Sequence, residues 1–269
     1  MHPTLNLRCR FAGSGLFFVT AAFNLCAGAY DPLAINSKPA PAHIELSVHG
    51  SERNRDIPLR VYLPNSTVPA PVVLFSHGLG GSRAGSVFLG EHWAARGYVA
   101  VFLQHPGSDD SVWKGEQPLE RMAALRKAAS LDNFLLRVQD VHVVLNELEN
   151  WSIAKGHTLA GRLDLTKVGM SGHSFGAITT EAVSGETLAM AGQKYTDPRI
   201  KAAVIFSPSA PELGDPAKAF GSVKIPWLLM TGTKDVAPIG HADMKSRLAV
   251  YPVLQGAPKY ELVLHNAEH

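Results

Sequence analysis

Cysteine is nearly absent from this 269-residue chain: there are two, Cys9 and Cys26, and both lie within the first 29 residues. The chain after Ala29 is therefore expected to have no disulfide, no thiolate nucleophile and no cysteine-ligated metal, and its stability must come from an apolar core. An excess of one charge is missing too. Lys and Arg number 25 against 23 Asp and Glu, a formal charge of +2, and they are scattered. That balance argues against nucleic acid or an anionic membrane surface as the principal partner. Nucleotide-cradling loops are absent: Arg83 stands where the third glycine of G-x-G-x-x-G would follow Gly78 and Gly80, and no G-x-x-x-x-G-K-[ST] occurs. Metal patterns are weak as well, since "GEHWAARG" lacks the second histidine of H-E-x-x-H and His241 with Asp243 is a lone pair. No cofactor and no metal is expected.

What remains is 46% hydrophobic and 18% charged residues, the composition of a globular chain with a sizeable core. Residues 1–29 read as a signal peptide: Arg8 and Arg10 precede the apolar "FAGSGLFFVTAAFNLCAGA", which closes on small residues at Ala27 and Ala29. Export to the periplasm or the medium is expected, with no stable membrane insertion once the signal is removed. Residues 30–42 form a Pro- and Ala-rich lead-in, and 43–269 the folded domain.

Within that domain "HIELSVHG" and "IPLRVYLP" alternate in polarity, as an antiparallel opening pair does. "PVVLFSHG" (71 to 78) and "YVAVFLQH" (98 to 105) are instead almost continuously apolar, the mark of strands buried on both faces, with the helix-like "SVFLGEHWAARG" between them. Phe134, Val138, Val141, Leu145 and Leu148 share one face of a long helix capped by Ser130. Strands "KVGMSG", "KAAVIFSP", "PWLLMTGT" and "YELVLH" follow, with a helix from about Gly176 and another near "HADMKSRLAVY". This alternation predicts an α/β fold with a mostly parallel, doubly wound sheet and ligands at the carboxyl ends of the strands.

"GHSFG" (172 to 176) sits between a strand and a helix, the setting in which Gly-x-Ser-x-Gly lifts a serine hydroxyl off the top of a sheet. Ser174 is thus a candidate nucleophile. A serine hydroxyl needs a base oriented by a carboxylate, and in this architecture the chain order is serine, acid, histidine. His241, His265 and His269 follow Ser174; His269, in the loop beyond the last strand, is preferred to His265, which ends it. Asp235, just after "PWLLMTGT", is the candidate acid, capping of a following helix being the alternative. The N–H groups of Phe175 and of Leu79 in "SHGLGG" are the candidate oxyanion donors. His105 and Trp113, from the loop "HPGSDDSVWKGEQP", are candidate substrate-binding wall residues, although Trp113 reads equally well as a packing residue.

"LFSHGLGGSR", "GYVAVFLQHPGSDDS" and "GMSGHSFGA" together resemble the platelet-activating-factor acetylhydrolase and dienelactone-hydrolase-like branch of the α/β-hydrolases. The resemblance runs from about residue 43 to the end. It implies metal-independent hydrolysis of carboxylic esters with short or truncated acyl groups, on a small-molecule or lipid ester substrate, with Ser174, Asp235 and His269 as triad and Leu79 and Phe175 as oxyanion hole. A polyester hydrolase or a thioesterase on the same triad is the alternative, and a non-catalytic binding module the reading from another class. Ala177 departs from a glycine often found there. Such folds also continue beyond the last strand into a helix, which is expected to be missing from this sequence.

Overall fold

The computed structural model describes residues 42–212 and 214–269. The expected signal peptide and nearly all of the lead-in lie outside the described residues. Eight strands form one sheet in the order β1-β2-β4-β3-β5-β6-β7-β8. β1 (Ala42–Gly50) and β2 (Arg55–Leu63) pair antiparallel over their full length, and β2 meets β4 (Val99–Leu103) antiparallel. From β4 through β3 (Ala70–Ser76), β5 (Leu163–His173), β6 (Ile200–Phe206), β7 (Trp227–Lys234) and β8 (Lys259–Glu268), neighbouring strands run parallel.

The continuous apolar runs are explained by two covered faces. In β3, Val72 and Leu74 point into one core cluster while Val73 and Phe75 point into another. In β4, Val99, Val101 and Leu103 alternate with Ala100 and Phe102 in the same way. The first cluster is completed by α3 (Leu131–Ile153) and α4 (Phe175–Ser184), the second by α1 (Val87–Ala95). Ser130 caps α3 by accepting a hydrogen bond from the Asn133 N–H at 3.2 Å, and Phe134, Val138, Val141, Leu145 and Leu148 are all buried. A third cluster joins β6 and β7 to α5 (Pro216–Phe220) through Ile205, Trp227, Leu229 and Phe220.

Two stretches differ from the sequence reading. Residues 118–128, just past the expected loop and given no element in the sequence reading, form α2 (Pro118–Ala128). It begins with proline at its first turn, a favoured place, but lies on the surface with Leu119 fully outward, so no apolar face announced it. The helix expected across 241–251 shrinks to α6 (Met244–Leu248), because Asp243 caps it through the Ser246 N–H and Pro252 cannot continue it. Among the described residues no helix is long and apolar enough to cross a membrane.

Candidate active site

Ser174 stands between the end of β5 and the first turn of α4, with φ +58° and ψ −115°. Few non-glycine residues occupy this backbone region, and the glycines on either side make it possible. A Cβ on Gly172 would lie 2.1 Å from the Gly176 carbonyl oxygen, and a Cβ on Gly176 would lie 1.9 Å from the carbonyl oxygen of Ser76 at the end of β3. The motif therefore packs backbone on backbone, which pins the start of α4 against the sheet. The Ser174 N–H donates to the Phe206 carbonyl at 3.1 Å, tying the turn to β6.

His269 approaches from the end of β8. Its Nε2 is 2.8 Å from Ser174 Oγ, and its Nδ1 is 2.7 Å from Asp235 Oδ1. With Nδ1–H donating to the carboxylate, Nε2 is free to accept the serine hydroxyl proton. Asp235 follows β7 directly and is buried; Thr231 Oγ1 donates to its Oδ2 at 2.8 Å. Burial alone would raise this carboxyl, but hydrogen bonds from Ser207, His269 and Thr231 and the nearby Arg247 charge outweigh it and lower its pKa. β7 and β8 meet closely because Gly232 has no side chain: a Cβ there would stand 2.1 Å from the Ala267 carbonyl oxygen. His265 is exposed on β8 and takes no part.

Arg247, from α6, went unnoticed in the sequence. It is buried, and its Nη2 lies 3.2 Å from both Asp235 Oδ1 and His269 Nδ1. Its Nη1 donates to the carbonyls of Ser207 (2.9 Å) and Pro208 (3.0 Å) and to Ser209 Oγ. The guanidinium thus joins the acid to the loop after β6. Nothing in "MKSRLAV" distinguishes this arginine from a solvated one.

Leu79 and Phe175 both border the cavity above Ser174. Phe175 opens α4, so its N–H has no intrahelical acceptor. The Leu79 loop comes close enough that a Cβ on Gly78 would touch Ser174 Cβ at 3.5 Å. His105 and Trp113, expected in the cleft wall, hold this loop instead. Trp113 Nε1–H donates to the Gly80 carbonyl at 2.7 Å, consistent with the packing alternative. His105 is 0% exposed, so it cannot meet a substrate; Ser76 Oγ and Asp140 Oδ2 lie 3.0 and 2.9 Å from its two ring nitrogens. Burial and the Arg137 charge bring its pKa down to about 4, so it is neutral at pH 7. Its backbone N–H donates to His77 Nε2 at 3.1 Å. Arg137, also fully buried, donates to Ser76 Oγ (3.0 Å), Ser108 Oγ (3.0 Å), Thr179 Oγ1 (3.1 Å) and the His77 carbonyl. An arginine and an aspartate one turn apart at positions 137 and 140, among the buried residues of α3, were the available sign of this network.

The cavity in front of Ser174 measures about 750 Å³. Its walls are largely apolar, with Phe134, Phe175, Ile178 and Leu188 joined by Met122 and Leu125 of α2. Burial and the neighbouring His269 lower the pKa of His173, beside the serine, to about 4. Glu181, Glu186 and Glu212 also border the cavity. Among the described residues no group of three or more His, Cys, Asp or Glu side chains could hold a metal ion.

Solved structures share this architecture. A dienelactone hydrolase from Anabaena variabilis has a TM-score of 0.55 at 19% identity, over 86% of this chain and 88% of that one. A cold-adapted esterase from an Arctic intertidal metagenomic library has a TM-score of 0.58 at 17% identity, over 87% and 88%. At these identities the likeness establishes the α/β-hydrolase fold. No protein-family model and no curated protein sequence matches the chain.

Proposed function

We propose that this protein is a serine hydrolase that cleaves carboxylic esters with short or truncated acyl groups through an acyl-enzyme. The observation that carries the reading is the continuous chain Ser174–His269–Asp235, at 2.8 and 2.7 Å, opening on a cavity beside two backbone N–H groups. In this reading Ser174 Oγ bonds to the ester carbonyl carbon and its proton passes to His269 Nε2. Charge developing on the carbonyl oxygen is met by the N–H groups of Leu79 and Phe175. The bond to the alcohol oxygen then breaks as His269 returns the proton to it. Water repeats the sequence on the acyl-enzyme, releasing the carboxylic acid and restoring Ser174. Asp235 holds the imidazole in the required tautomer throughout. The two structural neighbours, a dienelactone hydrolase and an esterase by name, lend support from fold, and the signal-like N-terminus favours an exported enzyme.

The test is fluorophosphonate labelling of wild type and Ser174→Ala, followed by intact mass and peptide mapping, with p-nitrophenyl acetate turnover alongside. One adduct on Ser174, together with turnover that disappears in the variant, is expected. A folded wild-type chain that neither labels nor turns over the ester would overturn the assignment.

A further inference from the structure

The two N–H groups read as oxyanion donors belong to different elements, Leu79 to the loop after β3 and Phe175 to the first turn of α4, and Arg137 of α3 reaches both. Its Nη2 donates to Ser76 Oγ at 3.0 Å and to the His77 carbonyl, just before the Gly78–Leu79 peptide. Its Nη1 donates to Ser108 Oγ at 3.0 Å, and the Ser108 carbonyl accepts the Gly80 N–H at 2.9 Å, which holds the loop from its other side. Toward α4, Nε donates to Thr179 Oγ1 at 3.1 Å, and that hydroxyl donates in turn to the Phe175 carbonyl at 2.9 Å. The guanidinium carbon also lies 4.7 Å from the centre of the Phe175 ring.

His77 completes the geometry of the loop. Its Nε2 accepts the His105 backbone N–H at 3.1 Å, so the ring proton is on Nδ1, which donates to the Gly78 carbonyl at 2.7 Å. Burial and the Arg137 charge lower its pKa well below 6.5, which keeps it in this neutral form. A trans peptide points its N–H opposite to its C=O, so fixing the Gly78 carbonyl aims the Leu79 N–H away from His77. Stability gives no reason for a charge behind this loop. Arg137 is 0% exposed, and its hydrogen bonds all go to neutral oxygens. Asp140, one turn along α3, gives its oxygens to Arg53, Arg55 and His105 instead. Burying a guanidinium with no bonded carboxylate costs more than an apolar side chain would, so the charge is explained by what its fork joins.

We propose that Arg137 is a positioning residue that sets the spacing and aim of the Leu79 and Phe175 N–H groups. This rests on the ester-hydrolase reading for what those groups bind. The planar fork has its N–H bonds in fixed directions, so one rigid group spans from the end of β3 to α4, and displacing either donor strains a bond to the other side. Lysine keeps the charge but carries it as a point on a flexible stem and cannot hold both sides at once. The carbonyl oxygen gains its charge only in the transition state, so loosening the donors lowers kcat and leaves ground-state binding as it was.

The experiment measures kcat and KM on p-nitrophenyl acetate, and Ki for 1,1,1-trifluorohexan-2-one, in wild type, Arg137→Lys and Thr179→Val. The ketone takes Ser174 Oγ on its carbonyl carbon as the hydroxyl proton passes to His269, leaving an oxyanion in the place of the transition-state charge. A kcat loss of about 30-fold or more is expected in Arg137→Lys and of about fivefold in Thr179→Val, with KM within about threefold and ketone affinity falling in step with kcat/KM. Arg199→Met breaks an ion pair with Asp197 just before β6, at the end of that strand away from Ser174, and is the control: it loses stability and keeps kcat within about threefold. A kcat within about threefold of wild type in Arg137→Lys, within about twofold in Thr179→Val, or reduced with ketone affinity unchanged overturns the proposal. If Arg137→Lys does not fold, Thr179→Val decides alone. If wild type shows neither turnover nor a fluorophosphonate adduct, the hydrolase reading fails. Hydrogen exchange then decides the brace: amides of residues 77–80 and 174–177 should exchange faster in both variants, and unchanged exchange overturns it.

Discussion

The backbone at Ser174 offers a direct test of how the turn between β5 and α4 is built. With φ +58° and ψ −115°, the residue lies outside even the left-handed helical well. A side chain held in such a region costs about 1–3 kcal/mol, which glycine would not incur. Replacing Ser174 by alanine and by glycine removes the same 2.8 Å bond to His269 Nε2 from both variants, so their difference reports the backbone. Glycine also loosens the unfolded chain, at a cost of about 0.4–1 kcal/mol. The balance predicts that Ser174→Gly is more stable than Ser174→Ala by about 1 kcal/mol, or some 2–4 °C in melting temperature for a chain of this size. Urea denaturation of the two variants at one pH measures it. Ala182→Gly, in the ordinary helical backbone of α4, serves as the control of opposite sign, with an expected loss of at least about 1 kcal/mol. If Ser174→Ala matches or exceeds Ser174→Gly in stability while the control behaves as stated, the turn is not strained and the account of the two glycines is wrong.

Gly176→Ala should be more damaging than its one methyl group suggests. Its Cβ would meet the Ser76 carbonyl at 1.9 Å, both partners being backbone, so α4 must move by more than 1 Å. A stability loss of about 3 kcal/mol and a fluorophosphonate labelling rate reduced about 100-fold are expected, and a rate within threefold of wild type would contradict this packing. Trp113→Phe removes the donor to Gly80 beside Leu79, at a cost of about 1–2 kcal/mol. It should lower kcat while leaving KM within twofold, checked on p-nitrophenyl acetate; a pure KM effect would return Trp113 to the cleft wall. The pH dependence of stability carries a definite sign. Glu186, raised from 4.5 to about 7, binds its proton more tightly in the folded state, so its contribution is complete below about 4.5 and is lost as pH rises to about 7. The melting temperature of wild type relative to Glu186→Gln should therefore fall from pH 5 to pH 8, the buried histidines of lowered pKa contributing alike to both proteins.

Periodicity and short-range backbone rules made a large part of this molecule legible in its sequence. Strands buried on both faces must be continuously apolar, so β3 and β4 could be read from "VVLF" and "VAVF", and the sheet class followed. A serine that leaves a strand and enters a helix within one residue needs flanking backbone without side chains, so Gly172 and Gly176 marked Ser174. Chain order then led to Asp235 and His269, which the structure brings within hydrogen-bond distance in one line from Ser174. Other features depend on side-chain direction and long-range packing, which composition and spacing do not carry. His105 looked like a cleft residue because it follows a strand end, but its side chain turns inward to Asp140, 35 positions away. Arg247 reaches the acid only because α6 folds back beneath the loop after β6. Nothing in the sequence around Glu181 and Glu186 marks them as buried; burial against a cavity is a property of the assembled walls, and only the tertiary structure decides which polar groups are deprived of water.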